Sequence, residues 1–390
     1  MRAAEMMRDH RSPSCASRAQ IASRAMTTAI LDDIGRLVSV ESPSRDVAAL
    51  TASADAVAEL ITARLGSAPA LVESAAGPHV HWSGGGSPKV LLLGHHDTVF
   101  PLGTLDARPF DVHDGRATGP GVFDMKSGIA LAVHALERAA HAGVSLAGVE
   151  LLMTCDEEVG SEASRALIEA RAAECGAVLV LEPSADGGAL KTGRKGCGTF
   201  TVTAHGRAAH AGLEPERGAN ALVELSRRVI EIAQLGRADT GTTVTPTVAE
   251  AGTADNVVPA TARLRVDVRV EQDDERLRIE HSMASLRSDD PDVRLEVTGA
   301  INRPPMPESA STSLFALARE SAASVGQGSI EGVAVGGGSD GNFTAAVGVP
   351  TLDGLGAVGG GAHADHEYVD VDALEPRCEL LTELVSRLLT

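Results

Sequence analysis

Aromatic residues are scarce in this chain, which has one Trp, one Tyr and six Phe among its 390 residues. A binding surface built on aromatic stacking is therefore not expected. Positive charge is scarce as well, because 34 Lys and Arg stand against 53 Asp and Glu and leave a formal net charge of -19. Nucleic acids and anionic membranes attract clustered Lys and Arg, so this balance argues against both as partners.

Cysteines and long apolar runs are also few. The cysteines are odd in number and scattered without a Cys-x-x-Cys motif, at Cys15, Cys155, Cys175, Cys197 and Cys378. This pattern does not form a disulfide framework and is typical of a reducing compartment. No apolar run approaches the roughly 18 residues of a membrane span, and residues 1–25 lack the continuous apolar stretch of a secretory signal. We therefore predict a cytoplasmic protein that does not bind membranes.

The length and periodicity of the chain predict two domains, because 390 residues exceed one ordinary core. Residues 27–193 alternate helix and strand patterns, as parallel α/β sheets do, and the alternation resumes over residues 305–390. Between them, residues 194–304 follow the order β-α-β-β-α-β of the ferredoxin-like motif. The predicted fold class is α/β, a mostly parallel-sheet domain with an inserted ferredoxin-like α+β domain. Residues 1–26 are expected to be a disordered tail or to precede the true start.

The central strand of the predicted sheet covers residues 90–93, which are all apolar and are followed at once by polar residues. Ligands of open α/β sheets bind just beyond the carboxyl ends of the strands. His95 and Asp97 lie there two residues apart, so in an extended chain they point the same way and Asp97 can support the imidazole. Taken alone, this His-x-Asp pattern is more typical of a surface loop with chance polar residues.

Two further apolar strands are followed by acidic residues. Asp156, Glu157 and Glu158 follow the strand at residues 149–154, and Glu182 follows the one at residues 177–181. A glycine-rich turn at residues 119–128 is expected to aim Asp124 towards the same edge. Carboxylates gathered in one place repel one another unless cations compensate them. Histidine with Asp and Glu, and without Cys, favours a hydrolytic zinc or manganese site over a structural zinc site.

Six motifs in order along the chain carry a family resemblance: Gly-His-x-Asp-Thr-Val (94–99), Gly-x-Gly-x-x-Asp-Met-Lys-x-Gly (119–128), Asp-Glu-Glu-x-Gly-Ser (156–161), Leu-Glu-Pro (181–183), Gly-x-Ala-x-His-Ala-Gly (206–212) and Gly-x-His (361–363). Together they resemble the co-catalytic di-zinc metallopeptidases, a family that includes glutamate carboxypeptidases, aminoacylases and succinyl-diaminopimelate desuccinylases. The resemblance covers residues 27–390 and is closest to the glutamate carboxypeptidase branch. It implies that the main domain is a zinc-peptidase catalytic domain and that the inserted one is a dimerisation, or lid, domain.

The resemblance also implies a site with two zinc ions, for which Mn²⁺ or Co²⁺ could substitute. Its ligands would be His95, Asp124, Glu158, Glu182 and His363. Asp124 would bridge a zinc on His95 and Glu182 to a second zinc on Glu158 and His363. Asp97 would support His95, and Glu157 would be the general base. His366 lies three residues beyond His363, but the family spacing favours His363.

Other implied roles fall on the inserted domain. His210 would polarise the scissile carbonyl, reaching in from the partner subunit of a homodimer. Asn256 and Arg269 would contact a substrate carboxylate, and Arg303 is a further candidate for that contact. A planar guanidinium fork on Arg269 suits such a carboxylate.

Three functions remain open at this point. The first is a zinc carboxypeptidase that releases a C-terminal amino acid such as glutamate from a small peptide. The second is an N-acyl-amino-acid amidohydrolase that has the same machinery and a different pocket. The third is a metal-free binding or regulatory protein on the same fold, which the presence of all five expected ligands and the general base argues against. One sequence does not say which side of the scissile amide is recognised.

Overall fold

The computed structural model describes the backbone of residues 15–390 and the side chains from residue 24 onwards. Its helices in chain order are α1 (Cys15–Val38), α2 (Val47–Leu65), α3 (Thr104–Ala107), α4 (Ser127–His141), α5 (Arg165–Ala173), α6 (Ala221–Ala233), α7 (Asp273–Ala284), α8 (Thr312–Ser324), α9 (Gly341–Ala346) and α10 (Leu374–Leu389). Its strands are β1 (Ala70–Val72), β2 (His79–Ser83), β3 (Val90–His95), β4 (Asp111–His113), β5 (Arg116–Thr118), β6 (Val149–Thr154), β7 (Ala177–Val180), β8 (Leu190–Arg194), β9 (Gly196–His205), β10 (Thr243–Ala251), β11 (Thr261–Val270), β12 (Arg294–Arg303), β13 (Gly332–Val335), β14 (Thr351–Leu352), β15 (Gly359–Gly360) and β16 (Tyr368–Asp370).

The largest sheet has the strand order β1-β2-β6-β3-β7-β14. Strand β3 runs parallel to β6 and β7, and β14 runs parallel to β7. Strands β1 and β2 add an antiparallel edge. The prediction of a mostly parallel sheet is therefore confirmed, and β3 lies inside the sheet as its uninterrupted apolar run indicated.

Helices cover both faces of this sheet, which explains why the consecutive residues 90–93 of β3 are all apolar. Val90 and Leu92 belong to the core formed with α1, α2, α4 and α10, whereas Leu91 and Leu93 belong to the core on the opposite face, with α5 and α9. Successive side chains of a strand point to opposite faces, so a strand buried on both sides cannot alternate with polar residues. None of the helices in the described chain has both the length and the apolar character that crossing a bilayer requires.

The inserted region forms a second sheet, with the order β10-β11-β9-β12 and antiparallel pairing throughout. Together with α6 and α7 this is the ferredoxin-like arrangement that the sequence predicts. One face of β11 is buried through Ala262, Leu264, Val266, Val268 and Val270, which join α6 and α7 in a core of their own. The other face of β11 carries Arg and Asp side chains.

Strand β12 continues to Arg303, past the end of its apolar alternation. The apolar alternation stops at Gly299, which has a φ of 100°, and the register to β9 then shifts between Ala300 and Arg303. A bulge of this kind keeps two strands paired while it breaks the alternation. Because of it, Arg303 reaches the main domain.

Candidate metal centre and active site

The residues of the predicted metal centre meet at one edge of the main sheet. His95 is the last residue of β3, Glu157 and Glu158 follow β6, and Glu182 follows β7. These three strands are parallel neighbours, so their carboxyl ends lie side by side. Asp124 reaches the same place from the glycine-rich turn before α4. The topology therefore brings together side chains that are far apart in the sequence.

Two histidines face this cluster from opposite sides of Asp124. Nε2 of His95 lies 3.3 Å from Oδ1 of Asp124 and 3.4 Å from Oε1 of Glu182. Nε2 of His363 lies 3.3 Å from Oδ2 of Asp124 and 3.0 Å from Oε2 of Glu158. Asp124 thus shares its two oxygens between two histidine–glutamate pairs, which is the arrangement that the resemblance implies.

The environment of His95 fits a metal ligand. Its Nδ1 lies 3.0 Å from the backbone oxygen of Asp97 and 3.3 Å from the carboxylate of the same residue. Nδ1 therefore donates its proton there, and in the neutral ring Nε2 presents its lone pair to Asp124 and Glu182. Nε2 of His95 and Oδ1 of Asp124 are buried and have no hydrogen-bond partner among the described residues. A buried polar atom without a partner is costly, and a cation between these atoms would satisfy both.

The charges of the cluster also indicate a cation site. Hydrogen bonds to Asp124 and Glu158 raise the pKa of His363 to about 10. Burial opposes the charged form of His95, but the three carboxylates close to its ring, those of Asp124, Asp97 and Glu182, raise its pKa well above the usual value. The acidic side chains therefore form a field that favours cations strongly. The donor set contains imidazole and carboxylate without thiolate, so it fits zinc, and also manganese, in a hydrolytic site.

His363 sits on a strained backbone. It follows the glycine pair of β15 and has a φ of 64°, in the left-handed region that L side chains rarely adopt. Its side chain is 51% exposed, in contrast to the 2% of His95. His366 is also exposed, but the contacts with Asp124 and Glu158 belong to His363, whose Nε2 lies 3.3 and 3.0 Å from them. The geometry thus favours His363 over His366 for this site.

Asp97 holds the backbone of the turn after β6 as well as the ring of His95. Its Oδ1 accepts a hydrogen bond from the backbone N–H of Glu157, and its Oδ2 accepts one from the N–H of Glu158, each at 3.2 Å. The hydroxyl of Ser44 also donates to Oδ2, at 2.6 Å. One buried carboxylate therefore fixes the end of β3 to the turn after β6. The sequence indicated the contact with His95, but gave no sign of the other three.

Glu157 is buried beside the cluster and pairs with an arginine. Nη2 of Arg303 lies 2.9 Å from Oε1 of Glu157 and donates also to Ser161 and Asp340. Burial raises the pKa of Glu157 well above its usual value, although the charge of Arg303 opposes this. The structure thus places Arg303 on the proposed base and not at an open surface. Its expected contact with a substrate carboxylate stays a prediction.

Glu182 has a similar partner that the sequence analysis missed. Nη2 of Arg194 lies 3.2 Å from Oε2 of Glu182, and the same guanidinium is bound to Asp353. Ser339, in the glycine-rich loop before α9, donates to Asp353 at 2.6 Å. Arg194 is therefore a buried link between Glu182 and that loop.

His210 and Asn256 lie together on the inserted domain. His210 forms an isolated antiparallel β-bridge with Val257, and the carbonyl of Asn256 accepts a hydrogen bond from the N–H of Ala211 at 2.9 Å. Nδ1 of His210 accepts the backbone N–H groups of Gly212 and Leu213, each at 3.1 Å. Both His210 and Asn256 are exposed, and the contacts that the structure gives them lie within the inserted domain. The structure does not bring either side chain to the metal cluster within one chain.

Arg269 also lies on the inserted domain, with its guanidinium already paired. Nε and Nη2 contact the two oxygens of Asp267 at 3.0 and 2.9 Å. Arg269 of β11 pairs in register with Cys197 of β9, and Arg303 of β12 pairs with the same residue from the other side. The two arginines therefore lie on the same face, two strands apart. This places Arg269 on the side of the inserted sheet that faces the cluster, although its own fork is closed by Asp267.

Cys155, next to the acidic turn, is fully buried, and burial raises the pKa of its thiol to about 12. Such a thiol is not a nucleophile at neutral pH, because the thiolate is the reactive form. Cys155 therefore has a packing role.

Comparisons with known proteins agree with this geometry. The family model described as peptidase family M20/M25/M40 matches residues 91–387. Carboxypeptidase G2 of Pseudomonas sp. (strain RS-16) is 33% identical over 312 residues, which cover 77% of this chain and 74% of the relative. Succinyl-diaminopimelate desuccinylase of Azoarcus sp. (strain BH72) is 31% identical over 333 residues, which cover 79% and 86%.

A solved structure has the same fold. The M20 family metallo-carboxypeptidase Sso-CP2 from Sulfolobus solfataricus superposes with a TM-score of 0.73 at 16% identity, over 93% of this chain and 99% of that one. The family match covers most of the chain and includes the whole candidate site. The chain therefore belongs to peptidase family M20/M25/M40, and it is a metal-dependent hydrolase of amide bonds.

Proposed function

We propose that this protein is a two-zinc carboxypeptidase that releases a C-terminal amino acid, such as glutamate, from small peptides. The observation that carries the proposal is the position of Asp124, whose two oxygens lie between the pair of His95 with Glu182 and the pair of His363 with Glu158. Glu157 lies beside these ligands but is held by Arg303. A separate, unligated carboxylate is what amide hydrolysis requires in addition to a metal pair.

Each proposed ligand would contribute to a shared cradle, with His95 and Glu182 on one side, His363 and Glu158 on the other, and Asp124 between them. Two cations held there would supply a water of lowered pKa and would polarise the scissile carbonyl. Glu157 would take the proton of the attacking water at its carboxylate and hand it to the departing amine. Its burial supports this role, since a raised pKa brings a carboxylate closer to the neutral pH at which proton transfer must run in both directions.

His210 would donate a hydrogen bond to the carbonyl oxygen of the substrate. Its Nδ1 accepts two backbone N–H groups, so the neutral ring carries its proton on Nε2 and can donate from there. Arg269 would bind the C-terminal carboxylate of the substrate after its fork leaves Asp267. Asn256, beside His210, would contribute to the same contact. These roles require the exposed corner of one inserted domain to meet the metal cluster.

A homodimer would bring that corner to the cluster. We propose the division at residues 194–304 for the inserted domain, with residues 27–193 and 305–390 forming the catalytic domain. The strand β10 is an edge of the inserted sheet, and large apolar side chains are exposed on it and on α6: Leu222, Val223, Ile230 and Val248. An exposed helix face beside a free strand edge suits pairing with a second copy. His210 would then reach the active site of the partner.

A second function has a specific observation in its favour. The relative named succinyl-diaminopimelate desuccinylase is covered over 86% of its length, more than the 74% of the carboxypeptidase. An N-acyl-amino-acid amidohydrolase would use the same cluster and the same base. The two functions differ in the part of the substrate on the carbonyl side of the scissile amide, which is a peptide in one and a simple acyl group in the other.

A substrate panel and a metal analysis test both functions. Purified protein loaded with zinc is assayed on aroyl-glutamates, dipeptides and tripeptides that end in glutamate or alanine, and N-acetyl and N-succinyl amino acids. The C-terminal amide of the best peptide is the matched control. A carboxypeptidase cleaves the free acid and not the amide, and it prefers the peptide or aroyl series. Preference for the short acyl series would favour the amidohydrolase, and a protein that binds no metal would contradict both.

A further inference from the structure

A buried carboxylate outside the metal cluster holds the loop that carries Asp124. Glu367 is 1% exposed, and Oε1 accepts the backbone N–H groups of Phe123 and Asp124, each at 2.8 Å. Oε2 accepts the N–H of Gly121 at 2.9 Å. Both oxygens of one side chain are therefore used on a single loop, more than 240 residues earlier in the chain.

The loop depends on this partner because it has few hydrogen bonds of its own. Within it, Val122 donates to Gly119 and Lys126 donates to Gly121, which leaves the amides of Gly121, Phe123 and Asp124 for Glu367. Without it these N–H groups would lack a partner in a buried place, which is unfavourable for each of them. Three charge-assisted bonds also compensate the burial of the carboxylate.

The same residue follows directly on the turn that carries His363. The N–H of Ala364 donates to the carbonyl of Gly361 at 2.9 Å and closes a turn that contains His363, and the N–H of Glu367 donates to the carbonyl of Ala364 at 3.1 Å and closes the next turn. Strand β16 begins at the next residue and pairs with β5, which anchors this turn to the strand that leads into the Asp124 loop. One side chain thus joins the two loops whose tips meet between His363 and Asp124.

We propose that Glu367 is a positioning residue that sets the spacing between Asp124 and His363 and thereby the affinity of the site for its second cation. The inference rests on the proposed metal centre. Glu367 itself contacts backbone amides and none of the five ligand side chains in the described structure, so its effect passes through the placement of Asp124 and His363. Outer-sphere partners of metal ligands typically change metal affinity by about 10–100-fold when they are replaced.

The test compares Glu367→Gln with a matched control, Glu150→Gln. Glu150 is also a buried glutamate, on β6, where it accepts a hydrogen bond from Ser83 at 2.7 Å and contacts His81, away from the carboxyl ends of the strands. The measurement is the zinc affinity of each step of loading, by competition with a chromogenic chelator and without substrate. The Tm of the metal-free protein is recorded for each variant.

We expect Glu367→Gln to bind one zinc per chain about 10–100-fold more weakly than the unchanged protein. We expect Glu150→Gln to keep both affinities even where it lowers the Tm. Wild-type affinities in Glu367→Gln, or equal losses in both variants, would overturn the inference, because the effect would then be absent or merely one of stability. If Glu367→Gln does not fold, Glu367→Asp keeps the charge at a shorter reach, and wild-type affinity in it would overturn the inference as well. An unchanged protein that binds no zinc would instead contradict the proposed function, so the two failures are distinguishable.

Discussion

The two parts of the proposed active site present their side chains in opposite states. At the edge of the main sheet, His95 and Glu182 are buried and Asp124 is partly buried, and Nε2 of His95 lies 3.3–3.4 Å from the two carboxylates. On the inserted domain, His210 is exposed and Arg269 is paired with Asp267 on its own strand. The first group is complete within one domain because parallel strands gather it. The second group does not contact the metal cluster in this structure, so either closure of the two domains or a second copy of the chain would have to bring it there.

This difference separates metal binding and proton transfer, at the sheet edge, from contacts with the substrate, on the inserted domain. Variants of the sheet edge should affect the metals or the rate of the chemical step in every substrate. Variants of His210, Asn256 or Arg269 on the inserted domain should affect substrate binding or the stabilisation of the transition state, and they should leave the metals in place. The predictions below follow that division, from the largest expected effect to the smallest.

The largest effect is expected at Glu157. Glu157→Gln should keep both zinc ions and lose roughly 10²–10⁴-fold in kcat, because a general base is removed while the ligands remain. Glu158→Gln, one residue away, is the matched variant and should lose zinc instead. Metal content by mass spectrometry and steady-state kinetics check both. Near-normal turnover in Glu157→Gln would show that another group carries the proton.

His210 is expected to have the next largest effect. His210→Ala should keep both zinc ions and lose on the order of 2.7–4 kcal/mol of transition-state stabilisation, since a donor to the developing oxyanion is removed. Mixing it with Glu157→Ala under subunit exchange should restore activity, because one site of each mixed dimer then has both residues intact. Recovery can reach about half of the sites in a two-fold pair.

The control for this experiment is co-purification of differently tagged subunits, which shows that mixed dimers have formed. If they form and activity stays at the level of the parent variants, His210 does not act across a dimer. The proposed contact would then have to arise from closure of the two domains of one chain.

A smaller effect is expected at Arg269. Arg269→Lys should raise KM about tenfold for a substrate with a free carboxylate and change kcat less, because a point charge replaces a two-pronged contact. Zinc content should be unchanged. The ratio of KM for the free acid to the inhibition constant of its uncleaved C-terminal amide is the sharper readout, and a ratio that is the same in both proteins would remove Arg269 from the site.

The smallest effect is expected at Asp267, which closes the fork of Arg269 in this structure. Asp267→Asn should lower KM by no more than about fivefold, because a partly exposed ion pair is worth at most about 1 kcal/mol. Competitive inhibition by a free dicarboxylate, measured on Asp267→Asn and the unchanged protein, checks this. A rise in KM would mean that Asp267 orients Arg269 and does not compete with the substrate.

Sequence patterns predicted the sheet edge well for a physical reason. A strand buried on both faces shows as an apolar run, and the polar residues just after it must lie at the edge of the sheet, so His95, Glu158 and Glu182 could be grouped without a structure. The position of Asp97 beside His95 was predictable from their spacing. The family motifs were needed to assign the individual roles, such as Glu158 as a ligand and Glu157 as the base, and to find His363, which no strand pattern marks.

The contacts among the supporting residues could not be predicted in this way. Arg303 reaches Glu157 across 146 residues, and only because a bulge redirects the end of β12. Glu367 reaches the Asp124 loop from a turn whose path has no periodic signal. The pairing of Asp267 with Arg269 is different, because two residues of one strand that are two apart always share a face. That competition for the guanidinium was visible in the sequence and was overlooked.

The position of helix α10 at the end of the described chain affects the order in which the two domains can fold during translation. Helix α10 packs in the core that also contains α4 and β3, and Nζ of Lys89 donates to the carbonyl of Leu389 at 2.6 Å. The core of the inserted sheet, by contrast, uses only residues between Phe200 and Ile301. Translation from there to Leu389 takes on the order of ten seconds at ~5–20 residues per second. We therefore expect the inserted domain to be protease-resistant on stalled nascent chains while the metal cluster is still open, and arrest peptides placed after residues 330 and 389 would measure this.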